Sequence, residues 1–179
     1  MNKMSHFFIA SIPKKSRRRD PIIGQVERNM KLCFGESEDL TEIDKVVVVV
    51  LNNVLLASGV VDGHRYDFYP KKPKKPKNVI WLHSLCVPNT AVVNEAKIVL
   101  KRERLPSPFR ALWKGLMDAA QDIRRRKRGF KSAKVGMLVD VMNPKKDFLI
   151  SLYTHFGMVL LPGIFENFDG MRYHILIEP

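Results

Sequence analysis

Five consecutive valines, Val46–Val50, constrain the fold of this 179-residue chain more than any other feature. β-Branched side chains favour extended backbone, so Lys45–Leu51 is predicted to form a strand. The next two residues are Asn52 and Asn53, and asparagine tolerates the positive φ that a tight turn requires. Because the apolar segment Val54–Val61 follows this turn, the pattern predicts a β-hairpin.

Three helices are predicted where apolar residues recur with helical spacing after a proline-marked start. The first runs from about residue 21 to residue 34, after Asp20-Pro21, and ends at Gly35. The second begins at Ser107-Pro108 and ends in the run Arg124–Arg128. The third begins at Asn143-Pro144 and ends at Gly157, and four apolar residues are predicted to form its inner side: Phe148, Leu149, Leu152 and Phe156. Residues 89–105 are ambiguous. Their apolar residues have only roughly helical spacing, so a further short helix there is one of the alternatives.

The remaining apolar segments predict the other strands. Lys134–Met142 is almost continuously apolar, which is typical of a strand buried on both faces. Asn78–Val87 is stopped by a proline, and three more strands are predicted around Phe7–Ile12, Met158–Leu161 and Arg172–Ile177. Strands that alternate with helices in this way indicate a mixed α/β fold with a central sheet.

The net charge of +13 predicts an acidic partner, because clustered like charges repel one another. Much of the charge lies in three runs. We predict a basic N-terminal arm at residues 1–20 and an exposed Lys/Pro loop at residues 70–77. A nucleic acid, the ribosome or a phosphorylated cofactor would suit these runs, although basic loops also serve solubility alone. The predicted nucleic-acid-binding residues are Lys14, Lys15, Arg17, Arg18, Arg19, Lys71, Lys72, Lys74, Lys75, Arg124, Arg125, Arg126, Lys127 and Arg128.

Several classes of protein are disfavoured by the sequence. Cys33 and Cys86 are isolated and have no histidine at ligand spacing, so we expect reduced, buried thiols and no metal site. The longest apolar run is far shorter than the roughly 20 residues of a membrane span. Because the N-terminus also lacks the charge order of a secretory signal, we expect a cytoplasmic protein without a membrane partner.

Three segments carry a resemblance to a known family: Leu85-Cys86-Val87-Pro88, Met137–Val141 with Asn143, and Tyr153-Thr154-His155-Phe156-Gly157-Met158. They are similar to a strand end before a phosphate-binding loop, to the next strand and helix start, and to the ending of that helix in the GNAT N-acetyltransferases. The resemblance covers most of the chain and is strongest from Val79 onward. The resemblance implies that residues 1–179 form one GNAT-like domain, with a mixed, mostly antiparallel, twisted sheet flanked by helices.

The resemblance also implies roles for individual residues. Tyr153 would be the general acid that protonates the departing thiolate of coenzyme A, although an aromatic beside Leu152 and Phe156 is also typical of a core. His64, His83 and Asp140 could include a general base, and His83 is the one to test because it lies on the strand expected to line the cleft. The cofactor would be acetyl-CoA or another acyl-CoA, held by Leu85, Val87, Arg102, Arg104, Ser107, Phe109, Arg110 and Asn143.

The chain departs from the family pattern in the phosphate loop. The best fit, Arg104-Leu105-Pro106-Ser107-Pro108-Phe109, keeps the arginine but has Ser107 and Phe109 where the family has small residues. Its two prolines remove backbone N–H donors. Residues 89–103 precede it as an apparent insertion, and Asn143 stands ten residues before Tyr153, about one helical turn more than is usual.

Two functions are compatible with these observations. The first is an acyl-CoA-dependent N-acyltransferase that acts on tRNA, DNA or a ribosomal component. The second is a catalytically inactive GNAT-fold protein that binds nucleic acid or a protein partner through its basic surface. Both leave the oligomeric state open, and a dimer is one of the alternatives.

Overall fold

Eight strands in the described part of the chain form one sheet, in the order β1-β2-β3-β4-β5-β8-β6, with β7 paired to β8. The structure, a computed structural model, describes residues 5–17, 20–36, 38–65 and 78–179. The elements are β1 (Phe7–Pro13), α1 (Lys14–Arg17), α2 (Ile23–Phe34), β2 (Lys45–Leu51), β3 (Val54–Arg65), β4 (Asn78–Cys86), α3 (Ala91–Arg102), α4 (Pro108–Arg126), β5 (Lys134–Asp140), α5 (Lys146–His155), β6 (Val159–Leu160), β7 (Phe165–Glu166) and β8 (Arg172–Ile177).

The sheet is mixed and mostly antiparallel, as predicted. β1 pairs antiparallel with β2, and β2 with β3. β8 pairs antiparallel with β5, β6 and β7. β4 and β5 are parallel. Together with the helices that connect the strands, this pairing confirms the α/β fold class.

The chain divides into two compact units, Met1–Val61 with Ser84–Gln121 and Asp62–His83 with Asp122–Pro179. In the first unit, the predicted hairpin is confirmed: Asn52 and Asn53 have φ values of 49° and 66° in its turn. Helix α2 buries Val26 and Met30 against apolar residues of β1, β2 and β3. Helix α4 lies close to the sheet, and Leu112 and Leu116 contact β3 at Gly59.

The first helix begins two residues later than predicted. The Asp20 side chain accepts the N–H of Ile22 at 3.1 Å, and the Asp20 carbonyl accepts the N–H of Ile23 at 3.2 Å. These bonds form a turn before the helix, so Ile22 is the N-cap. The predicted end is confirmed, because Gly35 has a φ of 83° and donates to the Lys31 carbonyl.

The prediction of reduced cysteines is wrong. Cys33 and Cys86 form a disulfide within the first unit, with their Cα atoms 5.9 Å apart. The two residues are 53 positions apart in the sequence, but the last turn of α2 lies beside the last residue of β4. Their proximity comes from tertiary packing, which the spacing of two isolated cysteines does not reveal.

In the second unit, a separate core cluster forms around Trp81, Phe165 and Ile175. Strand β7, which supplies Phe165, has only two residues and was missed because so short a segment has no readable period.

The inner side predicted for α5 is wrong at Phe148, which is 64% exposed, whereas Tyr153 is the buried residue of that helix. The helix also begins at Lys146 rather than at Asn143-Pro144.

Among the described ranges, none of the helices has an apolar stretch that could span a membrane. No group of three or more His, Cys, Asp or Glu residues there could hold a metal ion.

Candidate functional site

Strand β4 leaves its pairing with β5 and changes backbone conformation near its end. Its parallel register with β5 covers Val79–Leu82, paired with Lys134–Met137, and β4 continues beyond this register to Cys86. Ser84 has a φ of 51°, a left-handed conformation that is uncommon for a residue other than glycine. A single residue of this kind within a strand is typical of a β-bulge, which bends the strand and redirects its neighbours.

The end of β4 is held by two side-chain connections. The Ser84 hydroxyl donates a 2.6 Å hydrogen bond to the Glu38 carboxylate. Cys86 is bonded to Cys33 at the end of α2. The segment that includes Leu85 is therefore attached on both sides to the chain around the end of α2. Leu85 and Val87 are half-buried.

The junction between α3 and α4 contains most of the predicted phosphate-binding residues. Arg104 has a φ of 57°, and the next residue, Leu105, donates its N–H to the Leu100 carbonyl at 2.9 Å. Arg104 thus occupies a left-handed position that glycine usually fills at the end of a helix. This conformation ends α3 and lets the chain turn into α4 within a few residues.

Helix α4 starts at a serine cap, as predicted. The Ser107 hydroxyl accepts the N–H of Arg110 at 3.4 Å, and its carbonyl accepts the N–H of Ala111 at 2.9 Å. Prolines 106 and 108 offer no N–H group, so Phe109, which is half-buried, has the first N–H of the helix.

The charge at this junction is positive. Arg102, Arg104 and Arg110 are all exposed, and the first of them lies 3.7 Å from the Glu103 carboxylate. The N-terminal end of α4 adds the partial positive charge of the helix dipole. The junction is therefore suited to a phosphate group, which guanidinium groups would bind more than backbone amides.

Tyr153 lies on the last turn of α5 and is 7% exposed. Burial raises the pKa of its phenol to about 12, because the phenolate would lose its hydration. The hydroxyl therefore remains protonated at neutral pH and can act as a hydrogen-bond donor. After the helix, Gly157 takes a φ of 89°, and the N–H of Met158 returns to the Tyr153 carbonyl at 3.1 Å.

The other two predicted residues of the second unit are His83 and Asn143. His83 is half-buried on β4, one residue beyond the parallel register. Asn143 is not part of α5: its side chain accepts the N–H of Lys145 at 2.8 Å in a turn before the helix. With Tyr153, these residues belong to the second compact unit, whereas Leu85, Val87 and residues 102–110 belong to the first.

The three basic runs differ in their structural settings. In the first run, Arg17 is buried and donates to the Ile43 carbonyl at 2.7 Å, and Lys14 pairs with Glu42 at 2.6 Å. Lys15 is exposed. Arg18 and Arg19, and all four predicted lysines of the second run, lie outside the described residues. The third run forms the last turn of α4 and the residues that follow it.

His64 was one of three possible bases in the sequence, but its pairing with a carboxylate on β3 was missed. His64 Nε2 contacts Asp62 Oδ2, and Asp62 is buried whereas His64 is exposed. A carboxylate can orient an imidazole for proton exchange. The available signal was that these two residues are two positions apart, because residues i and i+2 of a strand have their side chains on the same face.

A cavity of about 830 Å³ in the first unit was also missed. It lies among α1, the first half of α2 and residues 38–42, and both cations and carboxylates line it. No motif signals such a cavity, because its walls come from segments separated in the sequence.

No protein-family model matches this sequence, and no curated protein matches it. Solved structures match over nearly the whole chain. An acyl-CoA N-acyltransferase from Pseudomonas aeruginosa is 9% identical, with 97% of this chain and 100% of that chain covered and a TM-score of 0.53. Arabidopsis thaliana NAA60 in complex with acetyl-CoA is 11% identical, with 96% and 98% covered and a TM-score of 0.52. The ribosomal-protein-S18-alanine N-acetyltransferase from Escherichia coli is 12% identical, with 97% and 94% covered and a TM-score of 0.51. The fold of this chain is therefore the GNAT fold.

Proposed function

We propose that this protein is an acyl-CoA-dependent N-acyltransferase. The observation that carries the proposal is the buried, neutral phenol of Tyr153 at the end of α5 in a chain with the GNAT fold. Two of the similar structures are named for acyl-CoA or were solved with acetyl-CoA. At 9% and 11% identity, this likeness supports the fold, and the chemistry is our inference.

The α3–α4 junction fits the diphosphate of coenzyme A by its charge. Arg102, Arg104 and Arg110 are exposed around the start of α4, where the helix dipole also favours an anion. Because prolines 106 and 108 remove two N–H donors, we expect binding to depend on the arginines more than in a glycine-rich loop. The backbone of Leu85 and Val87 at the end of β4 would hold the pantetheine arm.

Acyl-CoA supplies, when bound, a thioester whose acyl carbon can pass to an amine nitrogen. We assign to Tyr153 the donation of a hydrogen bond to the sulfur that leaves. The phenol is protonated at neutral pH, as an ordinary tyrosine also is, and burial, which raises its pKa to about 12, makes the charged phenolate still less favourable. His83 is the candidate base, since it lies half-buried on β4.

We propose that the acceptor amine belongs to a tRNA, a DNA or a ribosomal component. We also propose that the protein acts in the cytoplasm, where the Cys33–Cys86 bond would be subject to reduction. The net charge of +13 supports an acidic acceptor. The second candidate function is a GNAT-fold protein that binds such a partner without catalysis. The two prolines at the start of α4 favour it, because they remove donors that a coenzyme A diphosphate would use.

Transfer of a radiolabelled acetyl group tests the proposal. The protein is incubated with labelled acetyl-CoA and, separately, tRNA, DNA or ribosomal subunits. We expect label in one of these acceptors, and Tyr153→Phe should reduce the rate by about 10²–10⁴-fold. Equal rates for the wild type and Tyr153→Phe would contradict the role assigned to Tyr153. An absence of both transfer and release of the coenzyme A thiol would contradict the acyltransferase proposal.

A further inference from the structure

Residues 124–134, which we call the α4–β5 platform, are the most cationic part of the described chain. They comprise the end of α4, the loop that follows and the first residue of β5. Seven of these eleven residues are Lys or Arg, and none is acidic. The segment itself therefore carries a formal charge of +7.

The platform is fixed at its base by the side chain of Arg124. Its Nε donates to the Ala133 carbonyl at 2.8 Å, and its guanidinium pairs with the Glu178 carboxylate. Glu178 also accepts the N–H of Val135 at 3.3 Å. One arginine thus joins the two ends of the loop and ties them to the end of β8. This cation is used for structure and is not available to a partner.

The middle of the platform is fixed by contacts to the neighbouring strands. Phe130 is buried, and Lys127 Nζ lies 5.0 Å from its ring centroid. The same Nζ donates to the Gly63 carbonyl of β3 at 2.8 Å. The Asn78 side chain, at the start of β4, donates to the Gly129 carbonyl at 2.8 Å. These contacts connect the loop to β3 and to the start of β4.

The remaining cations point to solvent. Arg126 pairs with Asp122 at 2.7 Å. Arg125, Arg128, Lys131 and Lys134 are all exposed, and within the described ranges no carboxylate pairs with any of them. Four like charges on one platform repel one another, so a polyanion would stabilise the arrangement. The contacts of Arg124, Lys127 and Asn78 reduce the conformational freedom that the platform would lose on binding.

The first basic run does not have these properties. Arg17 is buried, and Lys14 is paired with Glu42. Two of the three described cations of α1, Lys14 and Arg17, therefore have partners within the protein. The platform, in contrast, presents four cations that pair with no carboxylate in the described ranges.

We propose that Arg125, Arg128, Lys131 and Lys134 form a binding surface for the phosphate backbone of a nucleic acid. A nucleic acid offers phosphates at regular intervals, which several exposed cations can neutralise without sequence preference. The two apolar side chains of the platform, Phe130 and Ala133, are buried, so the surface has no apolar group to insert into a membrane. This inference rests on the acidic partner proposed above and deepens it, because it assigns that partner's binding to one surface, and the binding itself requires no acyl donor.

The test is fluorescence anisotropy with a labelled duplex DNA and a labelled single-stranded RNA over a range of salt concentrations. The test variant changes all four residues: R125Q, R128Q, K131Q and K134Q. The control variant removes the same charge at four exposed cations elsewhere: R28Q, K31Q, K97Q and K145Q. Thermal melting of all three proteins establishes that each is folded.

Four phosphate contacts on a duplex predict a log–log salt slope of about −3.6, which corresponds to an affinity loss of about a hundredfold between 50 and 200 mM salt. The control variant should keep this slope, and the test variant should bring it close to zero. All three proteins should bind acetyl-CoA equally, so failure of nucleic-acid binding is distinguishable from failure of the proposed acyltransferase function.

Three outcomes would overturn the proposal. One is equal weakening by the test and control variants, which would show a dependence on net charge alone. Another is no binding of either nucleic acid at low salt. The third is binding of polyglutamate as tight as that of nucleic acid and equally sensitive to the test variant, which would indicate an acidic protein as the partner.

Discussion

Gly115 of α4 lies so close to Val47 of β2 that a Cβ atom at residue 115 would come within 2.7 Å of the Val47 Cγ1 atom. Ile9 of β1 would be equally close, at 2.6 Å. The absence of a side chain at residue 115 thus allows α4 to lie against β1 and β2. This helix begins at Ser107-Pro108, so its placement also positions the proposed diphosphate site.

Gly115→Ala should destabilise the protein, although alanine is the better helix former. Relief of the overlap requires shifts of the helix or strands that cost about 1–3 kcal/mol, more than the roughly 1 kcal/mol gained from helix propensity. The measurement is the free energy of unfolding in urea. The matched control is Gly24→Ala in α2, where the nearest atom is 3.7 Å away. That variant should be more stable than the wild type, and a stabilised Gly115→Ala would contradict the packing described.

Cys33→Ser should lower the free energy of unfolding under oxidising conditions. A disulfide that closes a loop of 53 residues restricts the unfolded chain, and its loss costs about 2–4 kcal/mol. Cys86→Ser should cost the same, and the double variant no more than either single one, because all three remove one bond. Reductant should reduce the stability of the wild type toward that of the variants. Two free thiols in the wild type without reductant would contradict the bond.

Tyr153 should make the protein less stable at alkaline pH. Its pKa is raised from 10.0 to about 12, so between these values the unfolded chain loses the phenol proton and the folded chain keeps it. The contribution is complete below pH 10 and falls as the pH rises toward 12. Chemical denaturation at several pH values should show a steeper alkaline loss for the wild type than for Tyr153→Phe. Parallel curves would indicate that the phenol is exposed to water.

Glu178→Gln should destabilise the second unit more than Asp122→Asn. Glu178 pairs with Arg124, which is largely buried, and its loss leaves a guanidinium without a carboxylate at a cost of about 1–3 kcal/mol. Asp122 pairs with Arg126, whose side chain is 81% exposed, so its replacement should cost less than about 1 kcal/mol. Urea denaturation of both variants checks the order, and the reverse order would contradict the role assigned to Arg124.

Local signals in the sequence were enough for most of the fold. The turn at Asn52 and Asn53, the end of α2 at Gly35 and the start of α4 at Ser107-Pro108 each depend on residues adjacent in the chain, and each was predicted. Helix α5 shows the limit of such signals. Its apolar residues allow either of two neighbouring helix faces to be the buried one, the face with Phe148 or the face with Tyr153. Tertiary packing selects the face with Tyr153, which the sequence of the helix alone does not indicate.

The candidate sites depend on contacts between segments distant in the sequence. The Cys33–Cys86 bond, the Ser84–Glu38 hydrogen bond and the contacts of Lys127 with Gly63 join such segments. The three basic runs looked equivalent as sequence, and tertiary contacts separate the buried Arg17 from the exposed Arg125. The roles proposed for Tyr153 and for the arginines of the α3–α4 junction remain predictions.

Calorimetric titration with acetyl-CoA, coenzyme A and pantetheine at moderate salt tests the central claim most directly. Pantetheine lacks the diphosphate, so a site at the α3–α4 junction predicts stoichiometric, micromolar binding of the first two ligands and much weaker binding of the third. Arg104→Gln with Arg110→Gln should weaken acetyl-CoA binding by about tenfold or more, since hydrogen bonds to charged groups contribute about 1.5–3 kcal/mol each. The exposed control K31Q with K145Q should leave it unchanged. No heat of binding with acetyl-CoA or coenzyme A would contradict the proposed acyltransferase.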